Sequence, residues 1–245
     1  MTQPAAFGAK TDHWGLIGEG KALENKAKVI ASSEEPIAQN REDAQDENGD
    51  IAASAYYGNT AGTLKEVSVT YQLISGQTVD LSSLNLGELE EGSIADSLTA
   101  TTQNGDQNPT IEISGRVGCE TVETPATPAN ATNKFELPNI SIVGAMRAQG
   151  LGFTVVNGKL TGSSLTASIE IAQDEDGEGE PVAHGVSGGT GEVSADIVRV
   201  TDAPTWTVDH ESLTQTKGPG EDEGQANWHT TNATAAFTVE RETTI

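Results

Sequence analysis

The densest set of chemically capable side chains is the acidic run around residues 174–180, DEDGEGE, where Asp174, Asp176, Glu178 and Glu180 recur at every second position. Carboxylates this close could hold calcium, a hard cation that takes several oxygen ligands. The spacing does not follow a calcium loop. Near the first acidic stretch, Gly49 taken as the central glycine puts Asp46, Asn48 and Asp50 at ligand positions, but Ala44 and Ala55 occupy the outer ones. Both stretches read as solvated loops of mutually repelling charge, and no metal is expected. Residues 185–191, GVSGGTG, invite comparison with a phosphate-binding loop. They lack the Lys-Ser/Thr pair that would reach phosphates, and a strand-like segment follows where a helix is needed. A flexible turn or subunit-contact loop is expected there, with no cofactor.

The four histidines, His13, His184, His210 and His229, fall in no metal-ligand spacing. His210-Glu211, preceded by Asp209, could move a proton only if folding supplied a nucleophile, and the serines include no GxSxG elbow. Cys119 reads as a small buried hydrophobe, because no recognisable motif sets a histidine beside it. No catalytic residue emerges and no enzyme is expected. Trp206 and Trp228 could stack on a sugar. Trp206 sits between Pro204 and Val208 in a strand-like context, which favours packing in a core or interface. Trp14, Trp206 and Trp228 are therefore the candidate interface aromatics, and the acidic run 174–180 is the candidate assembly or rim loop.

Composition narrows the function classes. The chain has 245 residues, 35% of them apolar and only 4% aromatic, which predicts a thin core supplemented by subunit contacts. Lys+Arg 13 against Asp+Glu 37 gives a formal net charge of -24. That field opposes nonspecific nucleic-acid binding and repels an anionic membrane, yet it suits a surface past which DNA must slide without sticking. A single cysteine excludes an intramolecular disulfide scaffold. With no recognisable secretory signal and no apolar run of membrane-spanning length, synthesis in a cytoplasm is expected.

The elements that would position these residues are strands. Residues 160–200 alternate Leu165, Ala167, Ile169 and Ile171 with Thr166, Ser168 and Glu170, then resume in Val193, Ala195 and Ile197. Period-two patterning of this kind predicts two long antiparallel strands joined by the acidic excursion. Val67, Val69, Tyr71 and Leu73 mark the clearest strand of the first half, and Ile111 and Ile113 mark another. Leu81, Leu84, Leu86 and Leu89 suggest a bend against the core, and Ala233, Ala235, Phe237 and Val239 a strand that closes or augments a sheet. Turns are expected at Asn48-Gly49, Asn104-Gly105 and Asn157-Gly158, the last as a tight hairpin with positive φ at both central residues. KALENKAKVIA at 21–31 reads equally as a short helix or as a strand. The predicted fold is mainly β: an antiparallel β-sandwich or barrel-like sheet with long hairpins and at most one or two short helices. Residues 1–33 form a candidate arm, 34–119 a first β region, 120–134 a linker or long loop, and 135–245 a second β region that either stands alone or shares one domain with the first.

The stretches ENGDIAASAYYG with VSVTYQL, PTIEISG, and SLTASIEIAQDEDGEGEPVAHGVSGG with EVSADIVRV resemble virion structural proteins of tailed bacteriophages, especially the tail-tube class. The resemblance spans about 50–200 and contains no diagnostic motif. It implies homo-oligomeric rings or a lattice of β subunits, contacts with other virion proteins, an acidic lumen for non-adhesive passage of DNA, no membrane partner, and residence in the virion after synthesis in the host cytoplasm. It also casts residues 165–171 and 193–200 as wall strands. A capsid decoration or other accessory virion protein, and a carbohydrate-binding adhesion module, are the competing expectations.

Overall fold

The computed structural model describes residues 23, 25–37, 40–45, 47–57, 65–84, 86–87, 89–90, 93–105, 107–117, 137–175, 181–200, 204–209, 214–215 and 230–239. Their strands are β1 (Ala27–Pro36), β2 (Asn40–Gln45), β3 (Ile51–Tyr57), β4 (Lys65–Leu73), β5 (Thr78–Asp80), β6 (Leu89–Glu90), β7 (Ser93–Gln103) and β8 (Thr110–Val117). There follow β9 (Ser141–Val143), β10 (Phe153–Val156), β11 (Gly158–Glu175), β12 (Pro181–Arg199), β13 (Thr205–Val208), β14 (Thr214–Gln215) and β15 (Thr230–Val239). The fold is mainly β, as predicted. The segment 21–31 is divided: Leu23 is helical, and the strand reading holds from Ala27, where β1 begins.

Nine strands make one antiparallel sheet in the order β1-β4-β8-β7-β11-β12-β15-β14, with β6 beside β7. Among the described residues β1 and β14 stand at opposite margins, and the sheet they bound is not closed into a barrel. Strands from both sides of residues 120–134 are neighbours in it, because β7 pairs with β11. The two β regions thus share one sheet and one core, while the linker candidate itself lies outside the described residues. Pairs β5-β9 and β10-β13 form small sheets of their own, as does the β2-β3 hairpin, whose turn places Gly49 at φ 85 after Asn48.

Alternation explains which face is buried. Val67, Val69, Tyr71 and Leu73 on β4, Ile111 and Ile113 on β8, Leu98 and Ala100 on β7, Leu165 and Ala167 on β11, and Val193, Ala195 and Ile197 on β12 all point inward and are buried. Each large aliphatic chain removed from water contributes about 1.5–3 kcal/mol. A second layer covers them: Val79, Leu81, Leu84 and Leu86 from the β5 bend, Ile140 and Ile142 around β9, Phe153 on β10 and Trp206 on β13 belong to the same cluster. The bend is built locally. Asp80 accepts from the Ser82 N–H at 3.1 Å and the Ser82 hydroxyl at 2.9 Å, turning the chain into a 3-10 turn at Leu81–Ser83. The layering is sandwich-like, with one broad sheet and one patchwork of short pairs.

Two turn expectations are corrected. Asn157 does take positive φ, at 60°, but β10 pairs with β13 and β11 with β12, so Asn157-Gly158 is a junction between two sheets and no tight hairpin. Gly158 is required for closeness: a Cβ there would press against Ile197, Val155 and Pro204. Residues 185–191 are strand, within β12, and not a loop. Gly191, Gly189 and Gly188 lie opposite Ala167, Ile169 and Glu170, and the same strand pairs with β15 on its other side. Ladder pairing to β11 throughout, and to β15 as well from Gly189 on, holds a stretch whose composition alone favours a turn.

Candidate functional site: the outer face of the sheet

The residues between the buried ones form the opposite face. On β4 they are Glu66, Ser68, Thr70 and Gln72, on β8 Glu112, Ser114 and Arg116, and on β7 Ser97, Thr99 and Thr101. β11 adds Ser164, Thr166, Ser168 and Glu170, and β12 adds Thr190, Glu192, Ser194 and Asp196. All are exposed or half-buried. Cross-strand bonds run along this wall, with the Ser68 hydroxyl donating to Glu112 at 2.9 Å and the Ser164 and Ser194 hydroxyls 2.9 Å apart. The fixed charges are predominantly negative: Glu35, Glu66, Asp96, Glu112, Glu170, Glu192 and Asp196 against Lys28, Arg116 and Lys159.

Asp96 owes its place to a β-bulge. β7 slips against β8 between Ala95 and Ser97, where Ala95 faces Gly115 and Ser97 faces Ser114. Gly115 makes the slip feasible, because a Cβ there would collide with the Ile94 carbonyl and the Ala95 backbone. Asp96 then sits in a shallow hollow with Glu35, Glu66, Ser33, Ser68 and Ser114. Desolvation by burial pushes its carboxyl above the ordinary carboxylate range. A hydrogen bond from Ser97 and the positive charge of Arg116 pull it down, and Glu66 pushes it further up.

At the other end of the sheet a buried polar clasp holds a loop. Thr102 and Ser163, opposite one another on β7 and β11, have hydroxyls 2.7 Å apart, and the Gln149 N–H donates to Thr102 at 2.9 Å. The Gln149 side-chain amide brackets Val143, accepting from its N–H at 2.8 Å and donating to its carbonyl at 2.7 Å. Asn104 ties the same loop to β11, donating to the Leu160 carbonyl at 2.7 Å and accepting from the Ala148 N–H at 2.9 Å. These bonds satisfy polar groups that would otherwise be stranded beside the core.

Asp174 lies near the far end of β11, opposite Ala183. Asp176, Glu178 and Glu180 fall outside the described residues, as do Trp14, Trp228, Cys119, His13, His210 and His229. His184 is in β12 opposite Gln173. Trp206, expected to pack in a core or an interface, lies in the core. It is only 4% exposed within the core, so it has no surface to offer a partner or a sugar. The acids of the outer face were the residues that sequence reasoning passed over. Their signal was the polar half of each alternation, such as Glu66, Ser68, Thr70 and Gln72 between Lys65 and Leu73. The bulge at Asp96 has no comparable signal.

Chemically, this face can hold water, repel anions and attract cations. Of its hydroxyls, Ser68 donates to the Glu112 carboxylate, and Ser164 and Ser194 bond to one another. Among the described residues, no group of three or more His, Cys, Asp or Glu side chains could hold a metal ion. No helix among them is long and apolar enough to cross a membrane. No protein-family model matches the chain, and no curated protein matches it.

Proposed function

We propose that the chain is a non-enzymatic, self-assembling structural subunit of a phage virion, of the tail-tube kind, whose outer sheet face lines an acidic channel for DNA. The observation that carries this reading is the segregation of the sheet: along β4, β8, β7, β11 and β12 one face is buried in the core, and the other is a broad hydroxyl wall bearing Glu66, Glu112, Glu170, Glu192 and Asp196. The mechanism is physical. A phosphate backbone near this wall meets like charge within a screening length of about 8 Å at physiological salt. The hydroxyls keep a water layer against which DNA can slide, and the shortage of lysine and arginine leaves few sites for counterion-releasing contacts.

The test is electron microscopy with mass determination across concentration, together with DNA binding by a Glu112→Lys, Glu170→Lys, Glu192→Lys variant. Rings or tubes of defined subunit number are expected from the wild type, with DNA retained by the variant and not by the wild type. A wild-type protein that stays monomeric, or a variant assembly that remains indifferent to DNA, would sink the proposal.

A further inference from the structure

We infer that the β1 margin of the sheet is a self-association site, at which two copies of this chain pair their β1 strands antiparallel about a two-fold axis at Ser32. Among the described residues β1 pairs with β4 alone. Along residues 29–33 the backbone groups directed away from β4 have no strand partner among the described residues, and an edge of this kind is one that natural sheets usually cover, charge or bulge away. The stretch from Val29 to Ser33 holds a bulge between Val29 and Ala31 but carries no charge and no proline, and Ile30 is 52% exposed on it.

The register follows from the bulge in β1. Pairing with β4 slips between Val29 and Ala31, which leaves Ile30 outside the alternation. Counted around it, Lys28, Ala31, Ser33 and Glu35 share the outer face with their partners Gln72, Thr70, Ser68 and Glu66. Val29, Ser32 and Glu34 oppose Tyr71, Val69 and Val67 on the core side. Residues directly opposite in an antiparallel pair point to the same face. A two-fold axis at Ser32 meets this condition along the strand: Ala31 of one copy faces Ser33 of the other, Val29 faces Glu34, and Lys28 faces Glu35. Each dimer gains two cross-strand pairs of opposite charge, whereas in-register parallel pairing would set Lys28 beside Lys28 and Glu35 beside Glu35. In a chain of net charge -24, a contact matching acid to base is where two copies meet with least repulsion. Glu34 reaches the joint already engaged by Lys65 at 2.5 Å. Opposite residues keep their faces, so the acidic walls of both copies lie on one side of the joined sheet.

This contact goes beyond the tube reading and does not require it, since an isologous pair is a closed unit. Oxidative cross-linking and sedimentation test it. A Ser32→Cys variant is expected to form a disulfide-linked dimer, and a Thr99→Cys variant on central strand β7 is not. Lys28→Glu and Glu35→Lys should each weaken the dimer about tenfold, since two cross-strand pairs turn repulsive, and the double variant should restore it. A protein that stays monomeric with Ser32→Cys unlinked overturns the inference and leaves the margin to the chain's own N-terminal residues or to a strand of another protein. A head-to-tail ring that sets β1 against a different strand also overturns it, while supporting the tube.

Discussion

The two faces of the nine-stranded sheet are made by the same strands in alternation, yet they answer to different demands. Inward, Val69, Ile113, Leu165 and Val193 sit at or below 1% exposure and touch a second layer that fits them. Outward, Thr70, Glu112, Thr166 and Glu192 meet water, and each could be exchanged for another small or acidic residue without disturbing the ladder. Stability therefore concentrates on one face, which leaves the composition of the other to be set by what it must face in use.

Substitutions should separate the two demands by size. Ile113→Ala, in the middle of the inner face, is expected to cost about 2–5 kcal/mol in urea unfolding, through lost transfer energy and a residual cavity. Gly115→Ala should cost about 1–3 kcal/mol, because the atoms a new Cβ would meet are backbone and cannot swing aside. Thr102→Val strands the Gln149 N–H that donates to Thr102, with an expected loss of about 1–2 kcal/mol and faster hydrogen exchange across residues 144–150.

The outer face should respond with smaller effects and, at one position, the opposite sign. Asp96 holds its proton more readily in the folded chain than in the unfolded one, since burial raises its folded value. Protonation therefore favours folding: the contribution is fully present below the ordinary carboxylate value and is lost as pH rises through the raised one. Asp96→Asn should be more stable than wild type at neutral pH and flatten the pH dependence across that acid window. A steeper dependence in the variant would contradict the burial argument. Glu112→Gln and Glu192→Gln, fully on the water side, should leave stability within about 0.5 kcal/mol.

Legibility in the sequence followed the same division. The inner face could be read residue by residue, because apolar side chains at every second position come together on one side only when the backbone is extended. That is why β4, β8, the β11-β12 hairpin and the C-terminal strand β15, which augments the sheet beside β12, were all anticipated. The bend at Leu81, Leu84 and Leu86 was visible for the same reason, three leucines with nowhere else to go. Glycines misled. Gly188, Gly189 and Gly191 look like a loop by composition, and it is pairing that holds them as strand, with β11 for all three and with β15 for Gly189 and Gly191. Asn157-Gly158 has hairpin chemistry, but the partner of β10 is β13, about fifty residues on, and local turn preference carries no information about that choice. Trp206 was placed correctly in a strand-like context, and its burial depended on a second layer assembled from segments too short to announce themselves. The acidic wall was half legible: its residues were in plain view, but which face they shared required the registers. The bulge that seats Asp96 depends on a glycine in the neighbouring strand, a pairing that no local pattern encodes.

The most direct measurement is a reconstruction by electron cryomicroscopy of the assembled protein, detailed enough to tell one face of the sheet from the other. Rings or tubes with Glu112, Glu170 and Glu192 turned to the lumen are the expected result. Particles with that face turned outward or buried between subunits would contradict the central claim that the polar half of the alternation was shaped for a channel.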